Sequence, residues 1–193
     1  MQKIGVMALQ GAFAEHLAVL SHLQVEALPV RLPQEIVGLD GLIIPGGEST
    51  TMVSLMKEYD LVAPIRELAL DGFPIMGTCA GMVLLAEHVS GMNAETIGAM
   101  DIGVKRNAFG RQVDSFETNL EIPAIGELPF HAVFIRAPYI EQAGDGVEIL
   151  AKLPNGVGVA ARQGKMVALA FHPELTSDLR LHAYFMSIVR GER

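Results

Sequence analysis

The sequence predicts an α/β protein with a mostly parallel central sheet, and three observations predict it. Short apolar runs of strand length recur through the first half, each followed by a stretch whose apolar residues fall at helical spacing. Two of those runs end in glycine turns, at 46–47 and 77–81, as strands feeding helices do. Half of the residues are hydrophobic and only 19% are charged, which suits strands buried on both faces of a sheet.

Taken in order, Ile4 to Leu9 reads as a buried strand that ends in Gln10-Gly11. Ala12 to Leu23 places Phe13, Leu17, Leu20 and Leu23 near helical spacing, and Val25 to Leu32 is a second strand. Gly41 to Gly47 is a third strand running into its glycine turn. Ser49 or Thr50 is the expected cap of a helix carrying Met52, Val53 and Met56. Leu61 to Leu70 reads as a helix, Phe73 to Gly77 as a fourth buried strand, and Ala80 to Val89 as the helix after it. The second half is richer in strands, expected at Thr96–Lys105, Gln112–Ile122, Ala132–Ala137, Glu148–Leu153, Gly156–Arg162 and Met166–Phe171. Asn155-Gly156 and Gln163-Gly164 are hairpin-turn signals, and Asp178 to Val189 is a closing helix.

The length of 193 residues, without a repeat or low-complexity linker, predicts one domain over residues 1–193. A net charge of −8 with no Lys/Arg cluster argues against nucleic acid and anionic membrane as partners. No apolar run reaches the ~20 residues of a membrane span, and the N-terminus lacks a signal-peptide pattern. One cysteine excludes an internal disulfide and fits a reducing compartment, so a cytoplasmic protein is expected. The six histidines show no ligand spacing and no second cysteine joins them, so neither a metal nor a cofactor is expected. His16, His22, His88, His131 and His182 read as ordinary surface or core residues.

Chemistry enters at Gly77-Thr78-Cys79-Ala80-Gly81, between an apolar strand and a helix. A G-x-nucleophile-x-G segment there resembles the nucleophile elbow of hydrolases: a sharp turn admits only small residues on either side and exposes the central side chain. Cys79 then sits at a helix N-terminus, where the dipole favours thiolate, and the Ala80 amide points at an oxyanion on the attacked carbonyl. A lone cysteine is more often an inert buried residue; the glycine bracket puts the two readings on even terms.

Phe171-His172-Pro173-Glu174 follows the strand at Val167. Proline disfavours the helical region for His172, so the chain is expected to remain extended, with His172 and Glu174 pointing the same way. Glu174 then orients one imidazole nitrogen while the other faces the thiol, which makes a Cys79–His172–Glu174 triad. Without the elbow, the pair would read as a surface His beside a surface Glu. Pro45-Gly46-Gly47-Glu48-Ser49 is either a tight turn or the source of a second oxyanion amide, and it matches no nucleotide-loop pattern.

These elements in this order resemble the class I, triad-type glutamine amidotransferases. With the opening Gly5-Val6-Met7-Ala8-Leu9-Gln10-Gly11-Ala12-Phe13-Ala14-Glu15-His16, the stretch Pro45 to Thr51, and Phe171 to Leu175, the chain is similar to the glutaminase subunits of pyridoxal 5′-phosphate synthases over nearly its whole length. The resemblance implies a three-layer, flavodoxin-like fold. It implies hydrolysis of L-glutamine to L-glutamate and ammonia, and delivery of the ammonia to a pyridoxal 5′-phosphate synthase subunit in a hetero-oligomer for vitamin B6 biosynthesis. It also implies an oxyanion hole from the amides of Gly47 and Ala80. Glutamine would be held by Gly47, Glu48, Ser49, Arg106, Ile135 and Arg136. Bottom-up, each arginine could equally be a solvated surface residue.

Three alternatives stand beside this reading. The chain could be the glutaminase of another synthase, such as the one making imidazole glycerol phosphate. It could be a peptidase- or deglycase-like relative with the same elbow. It could be a non-catalytic regulatory subunit that keeps only the fold, against which the complete triad argues.

Overall fold

The computed structural model describes residues 2–106 and 115–193. The N-terminal half alternates as expected: β1 Lys3–Met7, α1 Phe13–His22, β2 Glu26–Val30, β3 Gly41–Ile44, α2 Ser49–Glu58, α3 Val62–Leu70, β4 Ile75–Thr78 and α4 Ala80–Leu85. Then come β5 Ala86–Ser90, β6 Met100–Lys105, β7 Ser115–Leu120, β8 Phe130–Ile135, β9 Tyr139–Ala143, β10 Glu148–Lys152, β11 Gly158–Gln163, β12 Met166–Leu169 and α5 Arg180–Val189.

The large sheet runs β2-β1-β3-β4-β12-β11-β9-β6-β5, with β10 paired to β11. From β2 to β12 every neighbour is parallel. Every residue of β3, β4 and β12 is buried. Alternate side chains point to opposite faces, so burial of all of them requires cover on both faces. α1 packs against β1 and β2, and α4 against β3, β4 and β12. Phe185 and Val189 of α5 sit over Gly41 at the start of β3. Pro29 is tolerated in β2 because that strand closes the sheet's edge.

Two expectations are corrected here. The helix expected over Ala80–Val89 stops at Leu85, and Ala86–Ser90 forms β5, parallel to β6. The apolar run Met82 to Ala86 is buried whichever element it joins, so periodicity did not locate the switch. The strand Tyr139–Ala143 was not anticipated; after Ile140 it continues in exposed Glu141 and Gln142, which hides it from an apolar-run search. Of the strand expected over Gln112–Ile122, Ser115–Leu120 is formed, and residues 112–114 lie outside the described residues. Both hairpin turns occur where their glycines allow them: Gly156 lies between β10 and β11 at φ 86°, and Gly164 between β11 and β12 at φ 58°.

The sheet order positions the site. β1, β3, β4 and β12 are adjacent and parallel, so their carboxyl ends open at one edge. The register pairs Val6 with Ile43, Ile44 with Gly77, and Thr78 with Leu169. The segments after Met7, Ile44, Thr78 and Leu169 are thereby brought side by side, where ligands of parallel sheets bind.

Candidate active site

β4 ends in a sharp turn at Cys79, which has φ 49° and ψ −101° and is the N-cap of α4. A non-glycine residue held there is strained, and such strain persists only where the surroundings over-determine it. The surroundings do. The Cys79 N–H donates to Leu169 O at 2.7 Å. A Cβ on Gly77 would lie 2.6 Å from the Gly81 carbonyl carbon and oxygen, and one on Gly81 would run into Ile44 O. The glycine bracket is therefore a packing requirement of helix against strand, as the elbow reading expects. The Cys79 thiol points toward Ile135 O at 3.8 Å and is largely buried.

His172 follows β12. Its own N–H donates to Val133 O at 2.9 Å, which ties it to β8. Its Nδ1 lies 2.7 Å from Glu174 Oε1. The pairing is the expected one, but its geometry is not. The chain does not stay extended; Pro173–Leu175 is a single 3₁₀ turn, with proline in its first position. The tight turn, rather than strand alternation, places the two side chains together. Burial opposes a charge on His172, yet hydrogen bonds to Cys79 and Glu174 and the charges of those partners outweigh it. They raise the imidazole to about 10. Gly46 fits closely against this ring: a Cβ there would collide with His172 Cε1.

The Gly46-Gly47-Glu48-Ser49 loop leads into α2. The expected cap, Ser49 or Thr50, is not the cap. Glu48 is the N-cap, and its carboxylate accepts from the N–H groups of Thr50 at 3.3 Å and Thr51 at 2.7 Å. The Thr50 and Thr51 hydroxyls also donate to it. The Thr50 hydroxyl bond is the largest influence holding Glu48 down to about 2, against partial desolvation and with help from Thr51. Arg106 adds an ion pair to Glu48 at 3.4 Å. Ser49, Met52, Val53 and Met56 are the buried face of the helix.

The candidate catalytic, oxyanion and glutamine-binding residues, except Glu174, border one cavity of about 310 Å³. Cys79 and His172 lie on its wall, with Gly47, Ala80, Glu48, Ser49, Arg106, Ile135 and Arg136 around them. Glu174 lies behind His172, buried. Each residue singled out in the sequence is thus at this site. Arg136 is also held at a positive φ of 43° at the end of β8.

Two features were missed. Gln10 borders the cavity and its Oε1 accepts from the Glu48 N–H at 2.8 Å, which links the end of β1 to the glycine loop. Its position after an apolar strand, on the same edge as both glycine turns, was a usable signal. His16 and His182, read as ordinary residues, are fully buried and touch each other, with His16 Nδ1 2.9 Å from His182 Nε2. Their separation of 166 positions leaves no local pattern to find. Among the described residues, no group of three or more His, Cys, Asp or Glu is placed to hold a metal ion. No described helix is long and apolar enough to cross a membrane.

The chain is 57% identical to a pyridoxal 5′-phosphate synthase subunit PdxT of Herpetosiphon aurantiacus, over 96% of this chain and 99% of that one. It is 55% identical to the subunit of the same name from Pelotomaculum thermopropionicum, over 95% and 93%. A crystal structure described as a glutamine amidotransferase superposes with a TM-score of 0.92 at 46% identity, covering 97% of this chain and 98% of that one. The structure of PurLQS from Thermotoga maritima shares the fold, with a TM-score of 0.75 at 16% identity, over 100% and 99% of the two chains. The architecture is that of the class I glutamine amidotransferases: α/β, three-layered, with a mostly parallel central sheet. Residues 6–190 match the SNO glutamine amidotransferase family. With that match and with relatives above half identity across nearly its full length, the chain belongs to the SNO glutamine amidotransferase family.

Proposed function

We propose that the chain hydrolyses L-glutamine to L-glutamate and ammonia through Cys79, His172 and Glu174, and supplies the ammonia to a pyridoxal 5′-phosphate synthase subunit. The observation that carries this reading is the strained Cys79 elbow sharing one cavity with His172, which Glu174 holds from behind. Family membership and the names of the relatives narrow the substrate and the partner.

The chemistry follows from the parts. Cys79 Sγ attacks the side-chain amide carbon of glutamine. The carbonyl electrons move onto oxygen, and the amides of Gly47 and Ala80 receive the oxyanion; losing one such donor costs ~10²–10³ in rate. His172 gives its proton to the leaving nitrogen, which departs as ammonia. It then takes a proton from water as that water attacks the thioester, and glutamate leaves with Sγ restored. Glu174 keeps Nδ1 of His172 protonated and aimed throughout. Arg106 and Arg136 supply positive charge for the substrate's α-carboxylate, and Glu48, Ser49 and Ile135 complete the glutamine pocket.

The whole of residues 1–193 acts as one domain in this reading, in the cytoplasm, where the partner synthase consumes ammonia. The test is ammonia release from glutamine by wild-type and Cys79→Ala chains, each with and without the synthase subunit. Cys79→Ala is expected to lose activity while keeping the fold and partner binding. A Cys79→Ala chain that hydrolysed glutamine at the wild-type rate would end the mechanism. No ammonia from the wild-type chain in the presence of the synthase would end the assignment.

A further inference from the structure

Glu174 has two carboxylate oxygens, and the triad uses one. Oε1 accepts from His172 Nδ1 at 2.7 Å. Oε2 is buried without a hydrogen bond. His16 Nε2, on α1, lies 3.4 Å from Oε2 and 3.2 Å from Thr78 Oγ1. Beyond it, His16 Nδ1 meets His182 Nε2 of α5 at 2.9 Å, and His182 Nδ1 ends the row, buried without a hydrogen bond.

The carboxylate decides where the protons sit along this row. A bare lone pair on His16 Nε2 would repel Oε2, so Nε2 carries the hydrogen. A neutral imidazole has one N–H, so His16 Nδ1 is an acceptor. His182 Nε2 must then donate to it, and His182 Nδ1 is left as a lone pair. That nitrogen is the one without a partner in the structure.

We propose that His16, backed by His182, is a positioning residue for the triad: a neutral imidazole whose Nε2–H, bonded to Thr78 Oγ1, stands 3.4 Å from Glu174 Oε2 and attracts that oxygen, so that the carboxylate keeps Oε1 on His172. The inference rests on the triad reading above. His16 also meets Thr78, the residue before Cys79, so one side chain braces the elbow and the orienting carboxylate together. Neutrality matters because a cation here would compete with His172 for the carboxylate's charge. Burial, and then the nearby His182 and His172, hold His16 well below its ordinary value; burial brings His182 to about 4. The other ionisable groups that share the cavity wall with Cys79 and His172 are Glu48, Arg106 and Arg136.

The test uses the full chain, whose only cysteine is Cys79. Iodoacetamide alkylates the thiolate, forming a carbon–sulfur bond and releasing iodide, so its rate against pH reads the thiolate–imidazolium pair directly. Wild type is expected to hold a reactive plateau through neutral pH. His16→Leu removes the donor, loosens the carboxylate and lowers the proton affinity of His172. The alkaline end of its plateau is expected to move down by about one pH unit, a tenfold fall in the proton affinity of His172. His16→Gln, whose amide nitrogen can occupy the place of Nε2, is expected to stay within about twofold of wild type. Should His16→Leu fail to fold by circular dichroism, His16→Asn, too short to reach Oε2, takes its place and is expected to fall equally.

Equal profiles for wild type and the donor-lacking variants would overturn the proposal. So would an equal fall in His16→Gln, which would mark a packing role alone. Failure of the triad reading has a different signature: wild type would itself titrate as an ordinary thiol in one step near pH 8.5, and His172→Gln would not change it.

Discussion

Gly46→Ala tests the site without removing any group that does chemistry. Gly46 does not carry a positive φ, so alanine fits its backbone and the whole effect is steric. The added methyl would collide with His172 Cε1 and stand 2.9 Å from Nδ1 and 3.2 Å from Nε2. The ring has to retreat by about an ångström to reach ordinary contact. On one side it is tied to Glu174 by a 2.7 Å bond, and its backbone to Val133 O. A misplacement of ~1 Å costs about 10²-fold in rate. Weakening a hydrogen bond to a charged group removes ~1.5–3 kcal/mol, a matching 10- to 100-fold at 1.36 kcal/mol per decade. Overpacking costs ~1–3 kcal/mol of stability, a drop of several degrees in Tm for a chain this size. The assay is ammonia release with the synthase present, beside a thermal melt. Gly146→Ala is the control, since its methyl would meet only Gln163 Nε2, at 3.9 Å. A Gly46→Ala chain within twofold of wild type in kcat would refute the argument that this contact sets the position of the base.

Three further outcomes are expected. Gly81→Ala drives a methyl into Ile44 O and should lower stability by ~1–3 kcal/mol in a urea titration; an unchanged midpoint would mean the elbow is not close-packed. Glu48→Ala should cost ~0.5–2 kcal/mol as a lost cap. Because the folded Glu48 carboxyl is held down to about 2, its contribution is present above the unfolded value of about 4.5 and is lost as pH falls toward 2. Wild-type and variant midpoints should therefore converge in acid, and a gap that persists below pH 2 would contradict the cap. His172 has the opposite sign. Its folded value, raised to about 10, stabilises fully below 6.5 and is lost as pH rises through 10. The stability gap between wild type and Glu174→Gln should narrow across that window, and a gap independent of pH would show that the pair holds no charge.

The sequence by itself determined the strand–helix alternation and the edge on which chemistry occurs. Apolar runs such as Leu42 to Ile44 and Ile75 to Met76 need burial on both faces, and that requirement is local. Gly77 and Gly81 were legible because their reason, helix against strand, lies within five residues of chain. The resemblance, not the pattern, supplied Arg106, Ile135 and Arg136, which reach the cavity from β6 of the large sheet and from β8 of a separate two-stranded sheet tied to His172 through Val133 O. Tertiary structure decided three matters. Glu48 displaced Ser49 and Thr50 as the cap because its longer side chain reaches back over two amides and two hydroxyls at once. Pro173 turned the chain into 3₁₀ geometry, so His172 and Glu174 met by a tight turn instead of strand alternation. His16 and His182 came together only when α1 and α5 packed beside Glu174, which no spacing in the sequence encodes. Periodicity reports which side of an element faces the core; it carries no information on which distant side chains share a buried proton.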